Sequence, residues 1–89
     1  MLSEIDKTTI QTISKKYHAR RVLLFGSSLD STKESRDIDL AVEGITPRDF
    51  FKYYGDLLLA LSIPVDVIDL SEKSRFVTLV EREGVLIYG

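Results

Sequence analysis

Asp37 and Asp39 stand one residue apart inside the apolar run "DIDLAV", and Gly26-Ser27 closes an earlier apolar run, "RRVLLF". Side chains alternate between the two faces of an extended strand, so the aspartates share one face while Ile38 and Leu40 take the other. Their Cα atoms then lie about 6.6 Å apart, close enough for two carboxylates to converge on a pair of divalent ions spaced about 3.5–4 Å. Ligands made only of carboxylate oxygen suit Mg²⁺ or Mn²⁺, and a chain with no cysteine and one histidine is poorly equipped for zinc. Asp66, in "PVDVIDL", offers a third carboxylate that reaches the same face if its strand lies beside that of the pair. Three crowded carboxylates raise one another's pKa unless cations neutralise them, so the set makes sense chiefly as a metal site.

Gly26-Ser27 supplies the complementary part. A glycine directly after a strand lets a ligand approach the backbone, and the following amides and the Ser27 hydroxyl can donate to phosphate oxygens. Metal on one side and amides on the other would cradle a triphosphate. The chemistry that needs both is phosphoryl or nucleotidyl transfer, where catalysis is mostly positioning and neutralisation of charge. With eight aspartates in the chain, shuffling yields about 0.7 Asp-x-Asp matches, so the pair alone says nothing. Requiring Gly-Ser at a suitable distance upstream lowers the expectation to roughly 0.02.

The elements that must hold these residues follow from periodicity and punctuation. Ser3 and Asp6 resemble a capping box with aspartate where glutamate or glutamine is usual, and Ile10, Ile13 and Tyr17 fall on one helical stripe. This predicts a helix from about Glu4 to Tyr17. "RRVLLF" and "DIDLAV" are two strands joined by a polar loop, the second ended by Glu43-Gly44. Thr46-Pro47 fits an N-cap with proline at the first helical position, and Phe50, Phe51, Tyr54, Leu57, Leu58 and Leu61 give a wide apolar face up to about Ser62. Gly55 interrupts that helix at a cost of roughly 1 kcal/mol relative to alanine. "IPVDVIDL" is a third strand, Ser71 or Ser74 caps a third helix that Gly84 ends, and "VLIY" is a fourth strand. The expected fold is α/β (α+β): a small mixed sheet of about four strands with three helices, in the order α-β-β-α-β-α-β.

Size and charge bound the rest. Eighty-nine residues suffice for one domain with one modest core, so residues 1–89 are read as a single unit, and any second substrate-binding lobe must come from another chain. With 12 basic and 14 acidic side chains and no long block of one sign, direct nucleic-acid binding is not expected. No apolar run approaches the ~20 residues that span a bilayer, and the N-terminus lacks a basic region followed by an apolar one. Neither membrane insertion nor secretion is expected, and the cytoplasm is the compartment that a cysteine-free chain suits.

In "LLFGS", "SLDSTKESR", "DIDLAV" and "PVDVIDL" the chain resembles the minimal nucleotidyltransferase family of the DNA polymerase β superfamily. Its closing "VEREGVLIY" is similar to that family's last helix and strand, so the resemblance covers almost the whole chain. It implies a polymerase β-like nucleotidyltransferase fold, nucleotide binding by Gly26 and Ser27, two Mg²⁺ ions on Asp37 and Asp39, and Asp66 as third metal-binding carboxylate and base. It further implies ATP as substrate. Family members without a second domain pair, as antitoxins, with helical HEPN proteins, and some transfer AMP to a tyrosine of that partner. The chain departs from the family in the loop. Ser28 to Ser31 read "SLDS" where many members have an arginine and a small residue, then a basic residue and glycine. Arg36 stands where many have serine, and Lys33 or Arg36 either replaces a phosphate contact or is a solvated charge.

Structural explanations stand beside the chemical ones. Asp66 or Asp69 can serve as an edge-strand charge that discourages sheet-to-sheet association, and Asp69, on the opposite strand face from Asp66, is the weaker candidate. The basic segment "KKYHARR" is read as helix C-terminal charge and His18 as structural or surface. The cluster Phe50, Phe51, Tyr53, Tyr54 is read as core, with Tyr53 or its neighbours reaching a partner surface. Three functions fit: an Mg²⁺-dependent enzyme moving a nucleoside monophosphate from ATP to a partner's hydroxyl, a binding module with the carboxylate site weakened or idle, and a nucleotide sensor without turnover. Either of the first two is compatible with a homo- or hetero-oligomer.

Overall fold

The computed structural model describes residues 2–26 and 37–89. The order of elements is α1 (Glu4–Lys16), β1 (Arg21–Phe25), β2 (Ile38–Glu43), α2 (Pro47–Ala60), β3 (Val65–Asp69), α3 (Arg75–Glu83) and β4 (Val85–Tyr88). This is the expected succession of three helices and four strands, with ends that differ from the sequence reading by a residue or two.

Local chemistry sets the helix ends. The hydroxyls of Ser3, Thr46 and Ser74 each accept a backbone N–H three residues on, at 3.1, 3.3 and 3.1 Å, which satisfies one orphan donor at each N-terminus. Asp6 does not close a capping box. Its carboxylate is buried and accepts from the backbone N–H and hydroxyl of Ser62, joining the start of α1 to the end of α2. The competing partner wins because Ser62 lies within reach across the helix pair. At the other end of α1, His18 takes φ 61°, and Ala19 N–H reaches back to the Ser14 carbonyl at 2.9 Å. That left-handed residue turns the chain out of the helix into β1.

The sheet runs β3-β2-β1-β4. β1 pairs antiparallel with both β2 and β4, whereas β2 and β3 are parallel, connected across α2. The alternation of strand side chains divides the core into two layers. Val22, Leu24, Ile38, Leu40, Val42, Val65 and Val67 pack on one face with Ile10, Tyr53 and Leu57 of α1 and α2. Leu23 and Ala41 pack on the other with Leu70 and with Val77 and Val80 of α3. Tyr53 is fully buried and shares a 2.7 Å hydrogen bond with the buried Ser14 hydroxyl, so its polar tip stays paired inside the core.

The aromatic cluster of α2 therefore sorts differently from the sequence reading. Tyr53 is core and cannot reach a partner, whereas Phe51 is 83% exposed. Leu58 and Leu59 are exposed on the same side, three and four residues beyond Gly55, above whose backbone nothing lies within 4 Å. The helix has one sheet to pack on and more apolar surface than that sheet covers.

Candidate functional site

The strand pairing brings the carboxylates together. In the parallel ladder Asp39 lies opposite Asp66, so their Cα atoms are about 4.8 Å apart. Both stand on the sheet face occupied by α3, because Ile38, Leu40, Val65 and Val67 on either side of them fill the other layer. Asp37 lies just before β2 and is exposed, Asp39 is half-buried, and Asp66 is exposed on the edge strand. Burial, then the negative charges of Asp66 and Asp37, push the Asp39 carboxyl above its ordinary value.

Gly26 completes this edge. It directly follows β1, has φ +66°, and a Cβ placed on it would stand 2.7 Å from Asp39 Oδ2. A side chain there would be strained by that φ and would crowd the carboxylate, so glycine suits the end of the strand. Ser27, the other predicted nucleotide-binding residue, lies outside the described residues, as do the loop positions Ser28, Ser31, Lys33 and Arg36.

Among the described residues, no three acidic or histidine side chains converge as a single set of metal ligands. The register places Asp66 beside Asp39, yet its Oδ1 lies 3.4 Å from the Tyr54 hydroxyl, which also donates to the Val65 carbonyl at 3.1 Å. The residues fit Mg²⁺ or Mn²⁺ in their type, all oxygen donors, and in the space that Gly26 leaves at Asp39. Tyr54 is the residue that sequence reasoning missed here, having counted it only as part of an apolar face. Its signal was a hydroxyl on a helix that precedes the Asp66 strand.

Other candidates resolve as structural. Asp69 Oδ1 accepts from Ser71 N–H at 2.9 Å and from its hydroxyl at 2.7 Å, so it caps the turn after β3. Within the basic segment Lys16 pairs with Asp56 at 3.2 Å, Arg20 with Glu43 at 3.8 Å, and Arg21 with Glu43 at 3.2 Å and Glu81 at 3.5 Å. Exposed His18 serves the turn after α1. No helix among the described residues is long and apolar enough to cross a membrane.

Known structures share this architecture. One, a toxin-antitoxin crystal structure with AMP-PNP, is 24% identical and superposes with a TM-score of 0.76 over 93% of this chain and 73% of that one. Another, described as tri-AMPylated Shewanella oneidensis HEPN toxin in complex with MNT antitoxin, is 22% identical, with a TM-score of 0.75 over 99% of this chain and 73% of that one. A third, a candidate minimal nucleotidyltransferase, is 27% identical, with a TM-score of 0.70 over 89% of this chain and 86% of that one. The fold is thus polymerase β-like. No curated protein matches the sequence. The family model "Polymerase beta, Nucleotidyltransferase" matches residues 7–89, from the first helix through the carboxylate strands to the last residue. The chain belongs to the polymerase β nucleotidyltransferase family.

Proposed function

We propose that the protein transfers the AMP moiety of ATP to a hydroxyl of a partner protein, a tyrosine of a HEPN toxin, and so acts as the antitoxin of a toxin-antitoxin pair. The observation that carries this reading is the Asp39–Asp66 register beside Gly26, which puts two carboxylates and an open strand end at one edge of the sheet. The likeness to structures described as toxin-antitoxin with AMP-PNP and as AMPylated HEPN toxin with MNT antitoxin supports the choice of nucleotide and partner.

In this reading the acceptor oxygen attacks the α-phosphorus of ATP as the bond to the departing pyrophosphate breaks. Asp66, loosely held and exposed, takes the proton from the acceptor hydroxyl. Asp37 and Asp39 would hold Mg²⁺, which would supply charge neutralisation at the phosphates. Gly26 and Ser27 bind the triphosphate through the backbone and a hydroxyl.

The test is incubation with α-labelled ATP, Mg²⁺ and a cognate HEPN protein. Label is expected on the partner and is expected to disappear in the Asp37→Asn, Asp39→Asn double variant. Transfer that survives the double variant overturns the assignment of those residues. The exposed α2 stripe of Phe51, Leu58 and Leu59 favours a second reading, a binding module that neutralises its partner by contact. Absence of label transfer together with undiminished partner binding by the double variant selects that reading.

A further inference from the structure

We infer that the outer face of α2 is the docking surface for a partner protein, and that it takes a helix crossing α2 at Gly55 whose apolar stripe is bordered by aspartate or glutamate. The inference rests on the partner-directed function proposed above and adds where the partner sits and what chemistry its contact carries.

Three observations carry it. The first is an apolar face with an opening at its middle. Phe51, four residues before Gly55, is 83% exposed, and Leu59, four residues after it, is 90% exposed, with Leu58 exposed beside it. These spacings gather the three side chains around Gly55, on the side of α2 turned away from the buried Tyr53 and Leu57. A Cβ at Gly55 meets nothing within 4 Å, so no neighbour within the chain requires a glycine there, although glycine in a helix interior costs roughly 1 kcal/mol relative to alanine. A position without a side chain, set among three large apolar ones, lets the backbone of a second helix come to the near end of the usual axis spacing of about 8–10 Å.

The second observation is charge. Arg48 and Lys52, seven and three residues before Gly55, are exposed on this face and make no ion pair among the described residues. The positive end of the helix dipole adds to them, so the N-terminal half of the face is cationic and the C-terminal half apolar. A helix with acids opposite Arg48 and Lys52, and apolar side chains opposite Phe51, Leu58 and Leu59, matches both halves. A second copy of this chain does not. In an antiparallel pair crossing at Gly55, Lys52 faces Leu58 of the other copy, and in a parallel pair it faces Lys52. Asp56, the acid next to Gly55, is already held by Lys16 and by the Tyr17 hydroxyl on the α1 side.

The third observation is continuity with the carboxylate edge. Phe51 meets Phe50 edge to face at 6.5 Å and 88°, Phe50 meets Tyr54 at 6.4 Å and 76°, and the Tyr54 hydroxyl lies 3.4 Å from Asp66 Oδ1. Three rings thus run from the exposed face to the edge strand that bears Asp66. A protein seated on α2 has its adjoining surface beside that strand, so docking face and carboxylate edge serve one partner.

The experiment measures, by calorimetry, the affinity of the full chain for its cognate HEPN protein, comparing wild type with Gly55→Leu and with the Arg48→Glu, Lys52→Glu double variant. Melting checks that each variant folds, and sedimentation gives the mass of the chain alone. Gly55→Leu is expected to melt no lower than wild type, and both variants are expected to bind roughly tenfold more weakly or worse, with ATP binding unchanged. Hydrogen exchange on the HEPN protein is expected to show protection in a helix carrying aspartate or glutamate. Replacing those acids with lysine is expected to restore binding to the Arg48→Glu, Lys52→Glu variant. Undiminished affinity in either variant, or a rescue that fails, overturns the inference, while label transfer from ATP to the HEPN protein leaves the transfer reading standing. A wild-type chain that sediments as a dimer, and as a monomer once Gly55→Leu is introduced, assigns the face to a second copy and also overturns it. Wild-type chain that does not bind the HEPN protein overturns both the partner reading and this one.

Discussion

Asp39 carries a cost that the fold accepts. Its carboxyl is pushed above the ordinary value of 3.8 by burial first and by Asp66 and Asp37 next, so the folded protein holds this proton more tightly than the unfolded chain does. Ionising it therefore subtracts from stability, and the subtraction is absent below pH 3.8 and grows as pH rises through the window above it. Asp39→Asn is expected to melt at a higher temperature than the wild type at pH 7, with the gap closing as the pH falls below 4. Melting curves across that range check it, and an Asn variant less stable than wild type at pH 7 would refute the argument. Asp39 lies on β2 as the strand reading of "DIDLAV" expects, whereas Asp37 precedes that strand, so alternation does not fix the side it takes. The position of Asp66 was legible only conditionally, since a sequence does not say which strands are neighbours. The deviation of its carboxylate toward Tyr54 could not be read at all, because that contact joins a helix to an edge strand through side-chain reach alone.

Among the elements, α2 departs most from expectation. The apolar periodicity located it correctly from Pro47, but apolarity cannot distinguish a residue that packs on the sheet from one that waits for another surface. Tyr53 and Leu57 are fully buried, while Phe51, Leu58 and Leu59 face outward around Gly55. The open space above Gly55 makes a prediction possible: Gly55→Ala should stabilise the isolated protein by about 0.5–1 kcal/mol, because a helix interior favours alanine and nothing obstructs the methyl group. Arg48 and Lys52 lie on α2 beside this stripe and make no ion pair among the described residues, so its border is cationic. On the partner and nucleotide proposed above, Leu59→Glu is expected to weaken binding of the HEPN protein at least tenfold while leaving ATP binding unchanged, measured by calorimetry with each ligand. Equal affinity for the partner would remove α2 from the interface. The remaining elements were readable because each carries its own punctuation, such as the serine and threonine caps at Ser3, Thr46 and Ser74.

At the scale of the whole molecule, the site is assembled from distant parts of the chain. Asp39 and Asp66 meet only through a parallel ladder, so the two carboxylates come together only in the folded state. Metal and nucleotide that bind this state and not the unfolded one must raise the melting temperature by mass action, by ~2.7 kcal/mol of stabilisation at a hundredfold excess over the dissociation constant. Millimolar Mg²⁺ with ATP is expected to produce that rise, and the Asp37→Asn, Asp39→Asn variant is expected to lose it; an unchanged melting curve for the wild type would count against any working nucleotide site. The position of β3 at the sheet's edge carries a further consequence. A strand held by one neighbour is released more readily than one held by two, so the third carboxylate belongs to the part of the sheet that opens first. On the mechanism proposed above, a brief local opening would remove the proton acceptor while Asp37, Asp39 and the central strands stay in place. Whatever later covers that edge would lengthen the working life of the site without touching a single reacting atom.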